Sequence, residues 1–323
     1  MRKLFTCLLL LALTLTGCGG KSYVCQDFLL DTEVSVTVYR SGDQAAAQEA
    51  LELCGSYEKV FSRTDPDSEL YRLNRRETAE VSPELAQVIS LGLDYARRSN
   101  GAFDITMGGV SELWDFAAAE PQVPDSSQVA ERLSHTGWEK VTVEGNAVSF
   151  ADPETIIDLG AIAKGYIADR MADFLRERGV SSAVISLGGN LYCLGKKTDG
   201  SDFQVGIQYP YEERNQVIGG LPVSDQSVVT SGLYERCFMV DGTLYHHILN
   251  PSTGWPVENG LLAVSIVSGK SVDADALSTA CFVLGPEEGM AFIEATEDAE
   301  AVFITEDFQL HLSSGLEGVF YEA

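Results

Sequence analysis

Residues 156–165 read IIDLGAIAKG and place two charged side chains around small residues, where an apolar run gives way to helical spacing. We expect a short buried strand over 155–159 and a helix over 161–178. A helix start offers unpaired N–H groups and the positive end of the helix dipole, and Lys164 adds a full charge one turn in. The segment therefore predicts an anion site, most naturally for phosphate. A buried ion pair between Lys164 and Asp158 would give the same pattern.

The remainder of the chain predicts one compact α/β unit, with helices packed on mixed or antiparallel sheets. The first half predicts a strand over 28–39, helices over 43–60, 82–99 and 125–136, and a hairpin over 140–150. The second half predicts strands over 182–187, 203–208, 227–230, 237–240, 245–249, 263–267, 301–305 and 309–312, and helices over 274–284 and 287–296. The GxGxxG fingerprint of dinucleotide-binding folds is absent from the sequence.

Residues 1–17 have the features of a bacterial export signal. Arg2 and Lys3 precede an apolar run that is too short for a permanent membrane span. The small residues before Cys18 resemble a lipobox. We therefore expect a lipoprotein signal peptide over 1–17, a lipidated Cys18 with a tether over 18–27, and a folded domain over 28–323. The protein would be exported and lipid-anchored to the outer face of the cytoplasmic membrane, or on the periplasmic side. A plain signal peptide is the alternative.

The chain is strongly acidic, with 22 Lys and Arg against 48 Asp and Glu and a formal net charge of −26 at pH 7. Such a surface repels nucleic-acid backbones and anionic lipid headgroups, so we expect no nucleic-acid partner and membrane contact through the lipid anchor only. A bound pyrophosphate would need a divalent cation to offset its charge. The cysteines that follow Cys18 lack CxxC spacing, which indicates neither a zinc site nor a disulfide framework, although it leaves one or two disulfides open.

Asp275 and Thr279 lie four residues apart at a predicted helix start, so both side chains share one helix face. A carboxylate and a hydroxyl are hard oxygen ligands. Mg²⁺ takes few protein oxygens and completes its coordination with water and phosphate, so this sparse pair suits it. The alternative is an ordinary helix start, in which Asp273 caps the helix and the other two side chains face solvent.

His246 and His247 are two of only four histidines, and they end a predicted strand just before a turn rich in Pro and Gly. Alternation along the strand directs them to opposite faces, so at most one of them points into a site. A neutral histidine can accept the proton of an attacking hydroxyl.

Taken together, the motifs of the chain resemble the ApbE family of FAD:protein FMN transferases, in the order that family has them. The resemblance covers essentially all of the chain after the signal peptide. The motifs are the segments around Phe61-Ser62-Arg63, Asp67-Ser68-Glu69-Leu70, Leu73-Asn74, Phe103-Asp104-Ile105-Thr106, Asp158 to Gly165, Gly188-Gly189-Asn190, Thr230-Ser231-Gly232, His247 to Gly254, and Asp275 to Ala280.

This resemblance implies a T-fold-like α/β core, a FAD-binding flavin transferase domain over 28–323, and Mg²⁺ on the pyrophosphate of FAD. The implied metal ligands are the Ala161 carbonyl, Asp275 and Thr279. His247 is implied as the base that activates a Thr or Ser hydroxyl of an acceptor protein, an exported or membrane redox protein; FMN is transferred and AMP is released. The implied FAD-site residues are Leu30, Ala102, Phe103, Asp104, Asp158, Lys164 and Leu249.

The chain departs from the family pattern at four positions. Thr64 stands where relatives often carry Tyr, Leu30 where Met is usual, Gly109 where Pro is usual, and Asn250 where Asp is common. The first removes a stacking surface for adenine, and the last removes a charge near His247. Two other functions stay open: a Mg²⁺-dependent FAD pyrophosphatase, in which water replaces the acceptor hydroxyl, and a non-catalytic flavin-binding lipoprotein.

Overall fold

An eight-stranded sheet, antiparallel at every pairing, forms the centre of the computed structural model, which describes residues 22–116, 118, 120–212 and 216–323. The expected signal peptide and Cys18 lie outside these residues. In spatial order the strands are β1 (Tyr23–Leu29), β2 (Thr32–Val38), β5 (Ser182–Leu187), β6 (Asn190–Gly195), β9 (Gln226–Gly232), β12 (Leu261–Ser268), β13 (Ala299–Thr305) and β14 (Leu310–Leu312).

Three smaller sheets surround the central one. A hairpin joins β3 (Val141–Glu144) and β4 (Ala147–Phe150), and a second hairpin joins β10 (Cys237–Val240) and β11 (Thr243–His246). The third sheet contains β7 (Phe203–Gln208), β8 (Val217–Val223) and β15 (Tyr321–Glu322). The last strand of the second hairpin leads directly into His247.

The described part of the chain contains seven α-helices. They are α1 (Gln44–Phe61), α2 (Glu69–Asn74), α3 (Pro83–Arg98), α4 (Gly108–Trp114), α5 (Ser126–Leu133), α6 (Ala163–Glu177) and α7 (Ser271–Glu294). α1 packs on β1 and β2, α6 on β5 and β6, and α7 on β9, β12 and β13, and α6 and α7 also pack on each other. The aliphatic faces of these helices and strands form one continuous buried core.

The sequence predicts most of these elements. The α/β class with antiparallel sheets and packed helices in one compact unit is confirmed. Ser82 caps α3 by accepting a hydrogen bond from the Leu85 N–H, with Pro83 in the first helical position. The two helices expected near the C-terminus form one element, α7, which is broken at Gly285, where φ is +87° and Pro286 follows.

The strand expected over 155–159 is wrong. Only Ile156 makes a bridge, parallel to Met107. The next residue, Ile157, pairs instead with the side chain of Asn74, which donates to the Ile157 carbonyl at 2.8 Å and accepts from its N–H at 2.9 Å. One amide side chain thus takes the place of a neighbouring strand.

At the N-terminal end, β1 begins at Tyr23, within the segment expected to be a tether, and it pairs with β2 along its whole length. The single strand expected over 28–39 is therefore the second half of a hairpin whose turn contains Leu30 and Asp31. Among the described residues, no helix is both long and apolar enough to cross a membrane.

Candidate functional site

The first turn of α6 carries the central part of the candidate site. Lys164 Nζ donates to the Gly160 carbonyl at 2.8 Å and lies 3.9 Å from Asp275 Oδ1. Ala161 lies just before Ile162, the N-cap residue of α6, so its carbonyl is outside the hydrogen-bond pattern of the helix. The Gly165 N–H, in the first turn of α6, donates to Asp275 Oδ2 at 2.9 Å.

This arrangement requires glycine at position 165. A Cβ there would lie 2.3 Å from the Ser271 carbonyl oxygen and 2.7 Å from Val272 Cα, both of which are backbone atoms. The start of α6 can therefore approach the start of α7 closely enough for a side chain of α7 to reach a backbone N–H of α6. The contact explains why small residues surround Lys164 in the sequence.

Asp275 and Thr279 lie on the face of α7 that meets α6 and β9. Asp275 is only 4% exposed, and Thr279 is half-buried. Thr279 Oγ1 lies 3.4 Å from Ser231 Oγ, which is 2.8 Å from Ser278 Oγ. The alternative in which both side chains face solvent is therefore wrong. Asp273 does not cap α7 either, because the extended cap residue is Lys270.

Asp158 is held at the edge of the same region by three hydrogen bonds. Its Oδ1 accepts from the Gly160 N–H at 2.9 Å, its Oδ2 accepts from Arg63 Nε at 3.1 Å, and its own N–H donates to the Ile105 carbonyl at 2.7 Å. Arg63 also binds Glu112 at 2.8 Å. The ion pair between Lys164 and Asp158 that the sequence leaves open is not formed; each of these side chains has a different partner.

Residues 102–106 run beside this segment, but they do not all face an open site. Phe103 is buried, with its ring near Tyr95, so a ligand could reach only its backbone. Asp104 accepts from the N–H and the hydroxyl of Thr106 and from the Trp138 N–H. Burial raises the pKa of Asp104. Ala102 is half-buried in the turn that follows α3.

β11 ends at His246, and the surroundings of His246 and His247 differ. His246 is 4% exposed; its Nε2 donates to the Val257 carbonyl at 3.0 Å, and its Nδ1 accepts from the Ile248 N–H at 3.3 Å. In contrast, the buried Nδ1 of His247 has no hydrogen-bond partner among the residues that the structure describes. Burial lowers the pKa of His247 to about 3, and the positive charges of Arg236 and Lys164 act in the same direction.

Leu30 and Leu249 belong to different apolar clusters. Leu30 is half-buried in the β1–β2 turn at φ +53°, and its N–H donates to Glu58. Arg236 connects this turn to the site: its Nη2 donates to the Asp31 carbonyl at 3.4 Å, and its own carbonyl accepts from the His247 N–H. Leu249 is buried in a second apolar cluster that includes Trp114 and Met107.

The structure thus brings Lys164 and Gly165, in the first turn of α6, against Asp275 of α7, with Ala161 just before α6 and Thr279 one turn further along α7. Within the described ranges, no cluster of three or more His, Cys, Asp or Glu side chains could hold a metal. The implied ligand set is of another kind, one carboxylate, one hydroxyl and one backbone carbonyl, and it fits Mg²⁺ as an oxygen-seeking cation that keeps several waters. The burial of Asp275 beside the first turn of α6 supports this fit.

Residue-by-residue reasoning gives no role to Arg63, Asn74 and Arg236. The first two lie within the quoted motifs, next to Ser62 and Leu73, and the structure uses both to fix residues 157–158. Nothing in the local pattern distinguishes Arg236. Its relation to His247 depends on the pairing of β10 with β11, which is a contact across the hairpin.

Comparisons with known proteins agree on one family. A model of the ApbE family matches residues 30–303. A FAD:protein FMN transferase of Klebsiella pneumoniae strain 342 is 35% identical over 291 residues, which is 88% of this chain and 90% of that protein. One from Treponema pallidum strain Nichols is 34% identical over 327 residues, covering 93% and 90%.

Two solved structures are similar to this fold. The ApbE protein of Thermotoga maritima superposes with a TM-score of 0.85 at 31% identity, over 93% of this chain and 99% of that one. The flavin transferase ApbE of Vibrio cholerae gives a TM-score of 0.82 at 28% identity, with the same coverage. The family match spans most of the sequence and the fold agrees over nearly all of it, so this chain belongs to the ApbE family.

Proposed function

We propose that this chain is a Mg²⁺-dependent FAD:protein FMN transferase that joins FMN to a Thr or Ser hydroxyl of an acceptor protein and releases AMP. The observation that carries the proposal is the meeting of Lys164 and the Gly165 N–H of α6 with Asp275 of α7. A diphosphate needs opposite charge and hydrogen-bond donors, and phosphoryl transfer depends mainly on charge stabilisation and alignment.

Asp275, Thr279 and the Ala161 carbonyl would hold the Mg²⁺. When bound, the cation neutralises charge on the diphosphate and on the leaving phosphate. The protein residues around it have separate tasks. Lys164 is fixed by the Gly160 carbonyl and places a positive charge next to Asp275. Arg63 and Gly160 orient Asp158 at the rim, where it can contact the flavin nucleotide.

His247 is the base in this proposal. It takes the proton of the acceptor hydroxyl as the oxygen forms a bond to the FMN-side phosphorus. The bond between that phosphorus and the bridging oxygen of the diphosphate breaks, and AMP leaves with the oxygen. The unpartnered Nδ1 of His247 supports this role, because a buried ring nitrogen without a hydrogen bond is costly unless a ligand uses it.

The low pKa of His247 fits a site that binds an anion. Lys164 and Arg236 help to lower the pKa to about 3 in the protein alone. A bound diphosphate offsets these two positive charges, so the pKa of His247 rises when FAD binds. The histidine is therefore neutral before binding and becomes a stronger base when the substrate is in place.

The transferase is tested by incubating the protein with FAD, Mg²⁺ and an acceptor domain that carries a Thr or Ser, followed by measurement of AMP and of the acceptor mass. We expect AMP release together with an acceptor heavier by one FMN less water. AMP release with an unchanged acceptor mass would mean that water is the nucleophile and that the protein is a FAD pyrophosphatase. Flavin binding without AMP release would indicate a non-catalytic flavin-binding lipoprotein.

Asp275→Ala tests the metal role, with Asp273→Ala on the same helix as the matched control. We expect turnover in Asp275→Ala to fall at least 100-fold, because the charge that develops during transfer loses its counter-ion. Binding of FAD without metal should change little. Asp273→Ala should keep nearly normal turnover. Full activity of Asp275→Ala in metal-depleted buffer would contradict the assignment.

We further propose that the protein is exported and anchored through a lipid on Cys18. The support is the short apolar run after Arg2 and Lys3 and the small residues that precede Cys18. Expression in a bacterial host followed by membrane fractionation tests this. The unmodified sequence should sediment with membranes and Cys18→Ala should not, whereas equal distribution of the two would favour a plain signal peptide.

A further inference from the structure

The starts of α6 and α7 are capped by each other. The first residues of both helices lack a cap from their own chain segment: neither Ile162 before α6 nor Lys270 before α7 makes a side-chain capping bond. Instead, Asp275 of α7 accepts from the Gly165 N–H of α6. In return, Asp169 of α6 accepts from the Ser271 N–H at 2.7 Å and from the Val272 N–H at 3.0 Å.

The hydrogen bonds in the two directions have the same spacing along the two helices. On α6 the donor Gly165 and the acceptor Asp169 are four residues apart, and on α7 the donor Ser271 and the acceptor Asp275 are also four apart. Residues four apart share a helix face, so the hydrogen bonds in both directions lie in one contact between antiparallel helices. Carboxylates at helix starts satisfy free N–H groups and favour the positive end of the dipole.

The starts of α6 and α7 are packed so closely that they can move little relative to each other. Gly165 lies directly against the Ser271 and Val272 backbone, and Ser271 is fully buried, with its hydroxyl bonded to Ser227 of β9 at 2.8 Å. Asp169 holds the same two residues from the other side. The position of Asp275 relative to the Ala161 carbonyl therefore depends on how α7 packs against α6.

We propose that Asp169 is a positioning residue that sets the distance between the metal ligands on α7 and the ligand carbonyl at the start of α6. The proposal rests on the metal role of Asp275 in the proposed function. The Asp169 carboxylate accepts from backbone N–H groups of α7, so in this proposal it acts through Asp275 and Thr279 rather than on the metal.

The test compares Asp169→Asn with Asp173→Asn, which lies one turn further along α6 and pairs with Arg170 and Arg176. Binding of Mn²⁺, used as a paramagnetic probe for the Mg²⁺ site, is titrated with and without FAD. The titrations are made at pH 8, because burial raises the pKa of Asp169 to about 6. We expect Mn²⁺ to bind at least tenfold more weakly to Asp169→Asn and normally to Asp173→Asn, with FAD affinity in the absence of metal within twofold of the unmodified protein.

A second readout does not depend on metal or activity. Amide hydrogen exchange at Gly165 should accelerate at least tenfold in Asp169→Asn, because Asp275, which accepts from the Gly165 N–H, is held less firmly against α6. The Asp169 carboxylate itself accepts from Ser271 and Val272 instead. Amides in the last two turns of α6 should keep their protection. If Asp169→Asn does not fold, Asp169→Glu carries the same test with smaller expected changes, since it keeps the charge and shifts the carboxylate by one methylene.

The outcomes separate the two proposals. Weaker Mn²⁺ binding together with faster Gly165 exchange supports the positioning role. Loss of protection at Ser271 and Val272 with unchanged Mn²⁺ affinity would overturn it and leave Asp169 as a helix cap only. If the unmodified protein itself binds no Mn²⁺, the metal assignment of the proposed function fails, and unchanged exchange at Gly165 would then overturn the coupling between the two helix starts as well.

Discussion

His246 and His247 are adjacent in the chain, yet their surroundings are opposite. Both ring nitrogens of His246 are hydrogen-bonded to backbone groups, and its ring packs near Phe282. The Nδ1 of His247 is buried without a partner in the described part of the chain, and its neighbours include the charges of Arg236 and Lys164. The β-strand alternation separates a structural histidine from one that is available for chemistry.

The comparison shows that burial alone does not indicate function. Burial lowers the pKa of both histidines. What differs is the hydrogen bonding: the fold satisfies one ring fully and leaves the other with an unused nitrogen. Four predictions test whether this difference decides the roles of the two residues.

Substitution of His247 should have the largest effect. In His247→Ala we expect the rate of FMN transfer to fall about 100- to 10,000-fold, the usual contribution of a general base. The free energy of unfolding should change little, because no described hydrogen bond of the ring is lost. Single-turnover AMP release and urea denaturation measure the two quantities. A loss of less than fivefold would exclude His247 as the base.

Substitution of His246 should affect stability instead. His246→Ala removes the donor to the Val257 carbonyl and leaves a cavity beside Phe282, so we expect a loss of about 2–4 kcal/mol in the free energy of unfolding. Activity per folded molecule should stay within a few-fold of normal at a temperature where the variant is folded. The two roles would be reversed if His246→Ala were stable but inactive.

Acidification should expose the cost of keeping His247 neutral. Its pKa is about 3 in the folded protein, below the ordinary value of about 6.5, so the unfolded chain binds more protons between these values. The contribution of the neutral His247 to the free energy of unfolding is therefore fully present above pH 6.5 and is lost as the pH falls toward 3. Urea denaturation at pH 7 and pH 4.5 measures this loss. The free energy of unfolding should decrease less from pH 7 to pH 4.5 in His247→Gln than in the unmodified protein.

Removal of the Arg236 charge should have the smallest effect. Arg236→Gln is expected to raise the pKa of His247 only modestly, because burial is the larger cause of the lowered pKa. The same change should leave the pKa of His246 unaltered. An NMR titration of the histidine ring protons measures both values in one experiment, and equal shifts at the two rings would contradict the separation between them.

Much of the fold follows from local sequence. Helical spacing and caps such as Ser82 predict α1, α3 and α6 within a few residues, since these signals involve neighbours along the chain. β6, β8 and α4 are not predicted, because the backbone pairing and packing that define them come from distant residues. The expected strand at 155–159 fails for a related reason: the side chain of Asn74, from α2, takes the backbone hydrogen bonds of Ile157.

For the candidate site, the sequence predicts which residues take part but not the contacts that hold them. The family motifs give the identities of Lys164, Asp275 and His247, whereas the structure adds how they are held. Neither the exchange between Asp275 and Gly165 nor the bond from Arg63 to Asp158 has a signature in spacing, because the partners are far apart in the chain. Phe103 illustrates the opposite case, since its side chain belongs to the core rather than to a cleft.

The hydrogen bond from Gly165 to Asp275 has a consequence for how the site tolerates mutation. The Ala161 oxygen proposed as a metal ligand belongs to the main chain, so substitutions at Ala161 leave that oxygen in place. Position 165 is more vulnerable, because any Cβ there collides with the backbone of α7. Sequence variation should therefore be greater at Ala161, which would supply the metal ligand, than at Gly165, which lets the two helix starts meet.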